Sequence, residues 1–213
     1  MPTSDHTRPE SARPESARPE SARMGPNAII QTVHALREQL GEAEANALLV
    51  QHAHAHLVDA LPSEMIDEAA FHTLVQMLVV QMGSAPTGHI LHDAGQRTAH
   101  YLLLHRIPRF FQRLVGWLPR RAGLWLLLTA IGKHAWTFAG SGQFRFVVQQ
   151  QPTIYLTIQH PTVQPVAHFY GGTFGVLVQT LIDPQTTVHI GTNQHNQQLD
   201  CIYTLAFEQR ATA

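Results

Sequence analysis

The alternation of apolar and polar residues changes character near Gly132, from helical periodicity before it to short alternating runs after it. Asn27 to Leu40 carries its apolar residues at helical spacing, with Pro26 at its start and Gly41 at its stop. Glu42 to Leu61 is alanine-rich and predicts a second helix that ends at Pro62. Ser63 can cap a third, running to Met82, with Met65, Ile66, Ala69, Leu74, Met77 and Leu78 along one face and Gly83 closing it. GSAPTG then reads as a loop, followed by a helix from His89 to Arg106 and two shorter helices opened by Pro108 and Pro119.

Beyond Gly132, Ala135, Thr137 and Ala139 alternate with Trp136 and Phe138, predicting a strand with those two aromatics on one face. Gly140-Ser141-Gly142 reads as a hairpin turn into a strand carrying Phe144, Phe146 and Val148. Ile154, Leu156 and Ile158 mark the next strand, and Val166 to Ile182 a helix ended by Asp183-Pro184. Thr187 to Gly191 and Cys201 to Phe207 predict two last strands joined by a polar run. Helices followed by an antiparallel sheet with one inserted helix give an α+β fold; without β-α-β alternation, a doubly wound nucleotide fold is not expected.

RPESA is repeated three times from Arg8 to Ala22. Proline at every fifth position, with Arg, Glu and Ser that cannot bury a core, predicts a disordered tail over 1–23. Met24, which precedes an amphipathic helix, reads as an alternative start. The organisation expected is therefore tail (1–23), helical region (24–131) and an α+β region (132–210) packed with the helices as one domain. The N-terminus carries no secretory signal. The longest apolar run, Ala122 to Ile131, is far short of the roughly 20 residues that span a bilayer. A single cysteine, Cys201, excludes an intrachain disulfide framework and fits a reducing cytoplasm.

Charge is divided unevenly. Residues 24–93 hold eight acidic side chains against Arg37, whereas 94–182 hold no Asp or Glu and eight cations: Arg97, Arg106, Arg109, Arg113, Arg120, Arg121, Lys133 and Arg145. The halves could neutralise each other across an internal or homodimer interface. Alternatively, the basic half meets carboxylates, phosphates or acidic lipid. No nucleic-acid-binding signature is present, and peripheral membrane contact stays open.

Catalytic motifs are sparse. HEXXH, the P-loop and the nucleophile elbow are absent, and Gly140-Ser141-Gly142 lacks the third glycine and following helix of a dinucleotide site. His52, His54 and His56 read as a solvated helix face, and His168, His189, His195 and Cys201 match no zinc spacing, so no metal site is expected. Arg97, Tyr101 and His105 share one helical face, with Arg106 and Arg109 just beyond. Together with His134, Trp136, Phe138 and His168 they are the candidate ligand-binding residues. Arginine forks grip carboxylates, aromatic rings offer flat apolar surface, and a neutral imidazole can ligate the metal of a macrocycle. The combination suits a large planar ligand with acidic arms.

TAHYLLLHRIPRFFQRLVGWLP (98–119) and AIGKHAWTFAGSGQF (130–144) resemble the 23 kDa bacteriochlorophyll-biosynthesis family of phototrophic bacteria. HFYGGTFGVLVQTLID (168–183), with the strand, polar loop and cysteine-bearing strand after it, resembles the 4-vinyl reductase domain. This resemblance implies an α+β ligand-binding module akin to sensor domains. Zinc-binding relatives carry a cysteine cluster of which only Cys201 has a counterpart here. Two functions are implied: a protein that binds a magnesium-tetrapyrrole intermediate and assists its transfer or conversion, or a reductase of the 8-vinyl group of a divinyl chlorophyllide precursor. The ligand expected is a magnesium porphyrin or chlorophyllide precursor, with NADPH only in the reductase reading. Magnesium chelatase or the following methyltransferase are the implied partners, in the cytoplasm or at the edge of the photosynthetic membrane.

Overall fold

The computed structural model describes residues 22–196 and 198–207. The expected tail lies outside these residues up to position 21. Arg23, its last member, is part of the fold: β1 (Arg23–Met24) pairs antiparallel with β2 (Ile66–Asp67), and Glu68 N–H donates to Ala22 O at 3.0 Å. Met24 is buried in the core.

The helices follow the predicted order with three corrections. α1 (Asn27–Leu40) is as expected. The second helix is broken: α2 (Glu42–Gln51) ends before Ala53, whose φ is 63°, and a single turn, α3 (His56–Asp59), resumes the path. His52 and His54 therefore fall in the break between α2 and α3, with His54 buried, and His56 opens α3, so the three do not form one solvated helix face. α4 (Glu68–Met82) starts five residues after the expected cap, because Ile66 and Asp67 are used by β2. Asp67 is its N-cap, accepting from Ala69 N–H at 2.8 Å. GSAPTG is not a loop. Only Gly83, at φ 85°, breaks the helix, and α5 (Ser84–His105) absorbs Pro86 in its first turn, where no intrahelical donor is lost. α6 (Arg109–Trp117) and α7 (Arg120–Lys133) follow their prolines as predicted.

The predicted strand at 135–139 is a short helix, α8 (Trp136–Ala139). Five alternating residues cannot distinguish a strand from one helical turn when tertiary partners decide. Here Thr137 O accepts from Gly25 N–H at 2.7 Å and Phe138 O from the Tyr170 hydroxyl at 3.0 Å, so neither carbonyl faces a strand. Gly140-Ser141-Gly142 consequently leads from a helix into β3 (Gln143–Val147) and is not a hairpin.

β4 (Thr153–Ile158), β5 (Thr187–His195) and β6 (Gln198–Ala206) complete a four-stranded antiparallel sheet of order β3-β4-β6-β5. β5 and β6 reach several residues further than predicted because the polar run TNQHNQQLD itself pairs, Asn193 opposite Asp200 and His195 opposite Gln198. One face buries Ile154, Leu156 and Ile158 from β4 and Leu199, Cys201, Tyr203 and Leu205 from β6. Against that face lies α9 (Val166–Leu181), with the Tyr203 hydroxyl donating to Ala167 O at 3.0 Å.

The central contact is between α9 and α5. A Cβ at Gly95 would stand 2.0 Å from Phe169 O, and one at Gly172 would stand 2.3 Å from His92 O, so the two backbones touch where only glycine fits. The Thr173 hydroxyl, buried in this seam, lies 3.0 Å from Gly95 O and 2.9 Å from Phe169 O. Gly95→Ala is expected to separate the helices and cost about 1–3 kcal/mol, at the overpacking scale. Urea denaturation should show that loss, whereas Ala94→Gly, one position away, should cost only the propensity term of about 1 kcal/mol and a small buried methyl.

Candidate functional site

Between α5, α9, α7 and the N-terminus of α1 the fold leaves a cavity of about 900 Å³, partly open to solvent. Its inner wall is the α5–α9 seam, where Thr98 and Tyr101 face Tyr170, Thr173, Phe174 and Leu177. Phe138 closes one side, in edge contact with Phe174 (centroids 6.3 Å apart) and with Phe144 at 6.0 Å. Phe110, Phe111 and Pro108 form the rim on the α6 side, and Met24 to Ala28 with Gln31 the opposite rim. Among the described residues, no Asp or Glu lines the cavity. Its ionisable side chains are Arg106, His134, Tyr101 and Tyr170. The Tyr170 phenol is held protonated far above its usual range by burial, with Cys201 and Glu68 adding to the effect. Arg106 caps α5 with its guanidinium 6.0 Å from the Tyr101 ring, and it has no ion-pair partner among the described residues.

The nine predicted site residues divide accordingly. Tyr101, Arg106, His134 and Phe138 come together at the cavity. His105 packs on the Tyr101 ring at 4.9 Å but does not line the cavity, and Arg109 is exposed at the start of α6. Arg97 is engaged elsewhere: its Nε donates to Asp93 Oδ2 at 2.9 Å and its Nη2 to Glu38. Trp136 points away, exposed, because residues two apart on a helix diverge where residues two apart on a strand coincide. His168 lies against Gly88 of α5, where burial and then His92 and His89 keep its pKa below the usual value.

Sequence reasoning missed the contributions of Thr98, of Tyr170, Phe174 and Leu177, and of the α1 N-terminus. The first four were accessible: Thr98 and Tyr101 are three apart on α5, and Tyr170, Phe174 and Leu177 follow an i, i+4, i+7 stripe on α9. The α1 contribution depends on β1–β2 pairing, which no local pattern announces.

Gly140-Ser141-Gly142 does receive an anion, the protein's own. Ser141 N–H donates to the buried Glu68 Oε2 at 2.8 Å, and Gly140, at φ 57°, leaves the space a Cβ would occupy 1.9 Å from that oxygen. The turn thus anchors α8, and with it Phe138, to the start of α4. The lone lysine, Lys133, sits with Arg145 and Trp125 at a separate shallow depression of about 520 Å³.

The remaining reactive groups are not arranged for metal chemistry. Among the described residues, no three His, Cys, Asp or Glu side chains are grouped to hold an ion. Burial pushes the Cys201 thiol up to about 11, the protonated and unreactive form. No helix among the described residues is long and apolar enough to cross a membrane.

No protein-family model matches the chain. Over 171 residues it is 36% identical to the bacteriochlorophyll synthase 23 kDa chain of Rhodobacter capsulatus, covering 78% of each protein. The chain of the same description from Cereibacter sphaeroides is 37% identical over 174 residues, 78% of this chain and 82% of that one. The chain belongs to the bacteriochlorophyll synthase 23 kDa chain family. Membership gives this family member a role in bacteriochlorophyll biosynthesis. Its fold is shared with H-NOX domains. A structure described as probing heme distortion in the H-NOX family superposes with a TM-score of 0.58 at 10% identity, over 89% of this chain and 98% of that one. An Fe(II) unliganded H-NOX mutant from K. algicida gives 0.57 at 10% identity, over 86% and 97%. The α+β layout is as predicted, and the solved neighbours are H-NOX domains and not specifically a vinyl-reductase fold.

One titrating group outside the cavity, His72, ties the stability of the fold to pH. His72 is buried, its Nδ1 2.8 Å from Thr162 Oγ1 and its ring stacked on His160 at 4.9 Å. Burial, and then His160, hold its pKa down to about 3 from the usual 6.5. The unfolded chain takes up the proton first as pH falls, so the stability His72 contributes is complete above pH 6.5 and is lost between there and pH 3. The slope is at most about 1.4 kcal/mol per pH unit. Denaturant titrations should therefore show flat stability above pH 7 and a decline of about 2 kcal/mol from pH 6.5 to 5, a decline that His72→Gln reduces.

Proposed function

We propose that this protein holds a magnesium-tetrapyrrole intermediate of bacteriochlorophyll biosynthesis in the α5–α9 cavity and assists its transfer or conversion. The observation that carries the reading is the cavity's composition: about 900 Å³, aromatic and aliphatic walls and, among the described residues, one arginine, one histidine and no carboxylate. That volume is near the top of the range of roughly 300–1,000 Å³ for small-molecule sites, as a macrocycle requires. No carboxylate among the described lining residues repels acidic side arms, and Arg106 at the rim offers them a fork of donors. His134 supplies a single ring nitrogen of the kind that ligates a macrocycle-bound metal. The H-NOX neighbours support the reading at the level of fold, since the structures are described by their heme and its distortion.

The residues present fit such a ligand. The macrocycle itself brings the metal and the reactive vinyl group. The protein's part is to cover the rings with Phe138, Phe174 and Leu177, to hold the acidic arms at Arg106 and to keep water from the faces. Magnesium chelatase and the following methyltransferase are the enzymes with which such a carrier would exchange its ligand. In the second reading, 8-vinyl reduction, NADPH or another donor supplies the hydride, and the cavity positions the substrate.

Titration with magnesium-protoporphyrin monomethyl ester should give a saturating shift of the Soret band at micromolar protein. Arg106→Ala should weaken binding by about 1 kcal/mol, roughly fivefold, because the side chain is exposed and its pairing is screened. His134→Ala should alter the position of the shifted band, and Arg97→Ala should leave the titration unchanged. A non-saturating, unshifted band contradicts the proposal. Conversion of divinyl protochlorophyllide to the monovinyl pigment with NADPH, followed by chromatography, decides between carrier and reductase.

A further inference from the structure

We infer that the outer face of α6 is a docking surface for an anionic lipid bilayer, and that it brings the mouth of the cavity against the membrane. α6 has one broad apolar face, opposite Arg109, Gln112 and Arg113, and the fold covers only its inner half. The inner half is satisfied: Val115 is 1% exposed and Phe111 packs on the core, and the Gln112 amide pins the helix by donating to Leu103 O at 2.6 Å and Ile107 O at 2.7 Å. Gly123 lets α7 approach the α6 backbone, since a Cβ there would lie 2.6 Å from Val115 O.

The outer half has no such partner among the described residues. Phe110, Leu114 and Trp117, at i, i+4 and i+7, are 72%, 45% and 87% exposed. Large side chains aligned on one exposed helical stripe are an interaction surface, not scattered surface apolarity. The charge around them identifies the occupant. Arg109 and Arg113 lie on the same helix, Arg106 precedes it, and Arg121 follows in the first turn of α7. Of the eight cations in 94–182, only Arg97 and Arg120 form ion pairs among the described residues, so these four arginines are left unneutralised. Among the described residues, the two halves of the chain therefore do not cancel through ion pairs beyond Arg97. An aromatic stripe flanked by unpaired arginines on a helix too short to span is the chemistry of an interfacial helix on acidic lipid. Arginine stems lie along the apolar boundary while their heads reach phosphate oxygens.

Arg106 and Phe110 also line the cavity, so docking presents the opening to the lipid phase, from which an apolar ligand could enter without crossing water. That consequence rests on the tetrapyrrole reading, whereas the docking does not, and it is tested without any pigment. The full chain should co-sediment with vesicles of phosphatidylcholine mixed with phosphatidylglycerol and bind phosphatidylcholine alone at least tenfold more weakly, with the difference shrinking at high salt. Arg109→Gln combined with Arg113→Gln should lower affinity for the mixed vesicles by roughly tenfold or more. Trp117→Ser with Leu114→Ser should lower it comparably while circular dichroism and melting stay native-like. Brominated lipid should quench emission that is lost in Trp117→Phe. Absence of binding at low salt, or binding unchanged in both double variants, overturns the inference. So does a wild-type dimer in sedimentation that Trp117→Ser dissociates, which would assign the stripe to a second copy of the chain.

Discussion

Everything in this molecule is referred to the contact between α5 and α9, where two backbones meet at Gly95 and Gly172 with no side chain between them. Van der Waals contact between main chains fixes the helices more rigidly than interdigitated side chains do, and the Thr173 hydroxyl locks their register. On one side of the seam α9 lies against the sheet, with Tyr203 reaching Ala167 O and Phe174 in edge contact with Tyr203 at 5.2 Å. On the other, Thr98 and Tyr101 with Tyr170 and Phe174 form the wall of the cavity. The close approach thus sets both the joint between helical layer and sheet and the shape of the site.

The second constraint is electrostatic. Glu68 is buried at the start of α4, and it is accommodated because the Gly140-Ser141-Gly142 turn donates a backbone N–H to it. A glycine-rich turn beside an anion is the chemistry of phosphate binding, but here the ligand is internal and the result is structural: α8 is tied down and Phe138 is aimed at the cavity. Glu68 is not among the residues that line the cavity, whose charged or titratable groups among the described residues include Arg106 and His134 and no carboxylate. That inventory is what the proposed tetrapyrrole reading rests on.

Much of the fold was legible because long elements carry their own periodicity. α1, α6, α7, α9, β3 and β4 are found within a residue or two of where the pattern puts them, and the α+β order with one inserted helix follows. The failures are local and have physical causes. α8 was read as a strand because a single turn contains too few residues for its period to show, and its carbonyls are claimed by Gly25 and Tyr170 from distant parts of the chain. β1 and β2 are two residues each and exist only as a pair, which shifted the start of α4. Of the candidate site, the residues on α5 and beyond that belong to the cavity were recognisable by type and spacing. Arg97 and His168 were not separable from them, since an arginine that pairs with Asp93 and Glu38 carries the same signature in sequence as one that faces a ligand.

The central claim is that the α5–α9 cavity is the binding place of a magnesium tetrapyrrole. A crystal structure of the protein with magnesium-protoporphyrin monomethyl ester tests it most directly. The account predicts the macrocycle between the α5–α9 seam and α7, covered by Phe138 and with an acidic arm at Arg106. Density for the pigment anywhere else on the molecule, with that cavity unchanged, would contradict it.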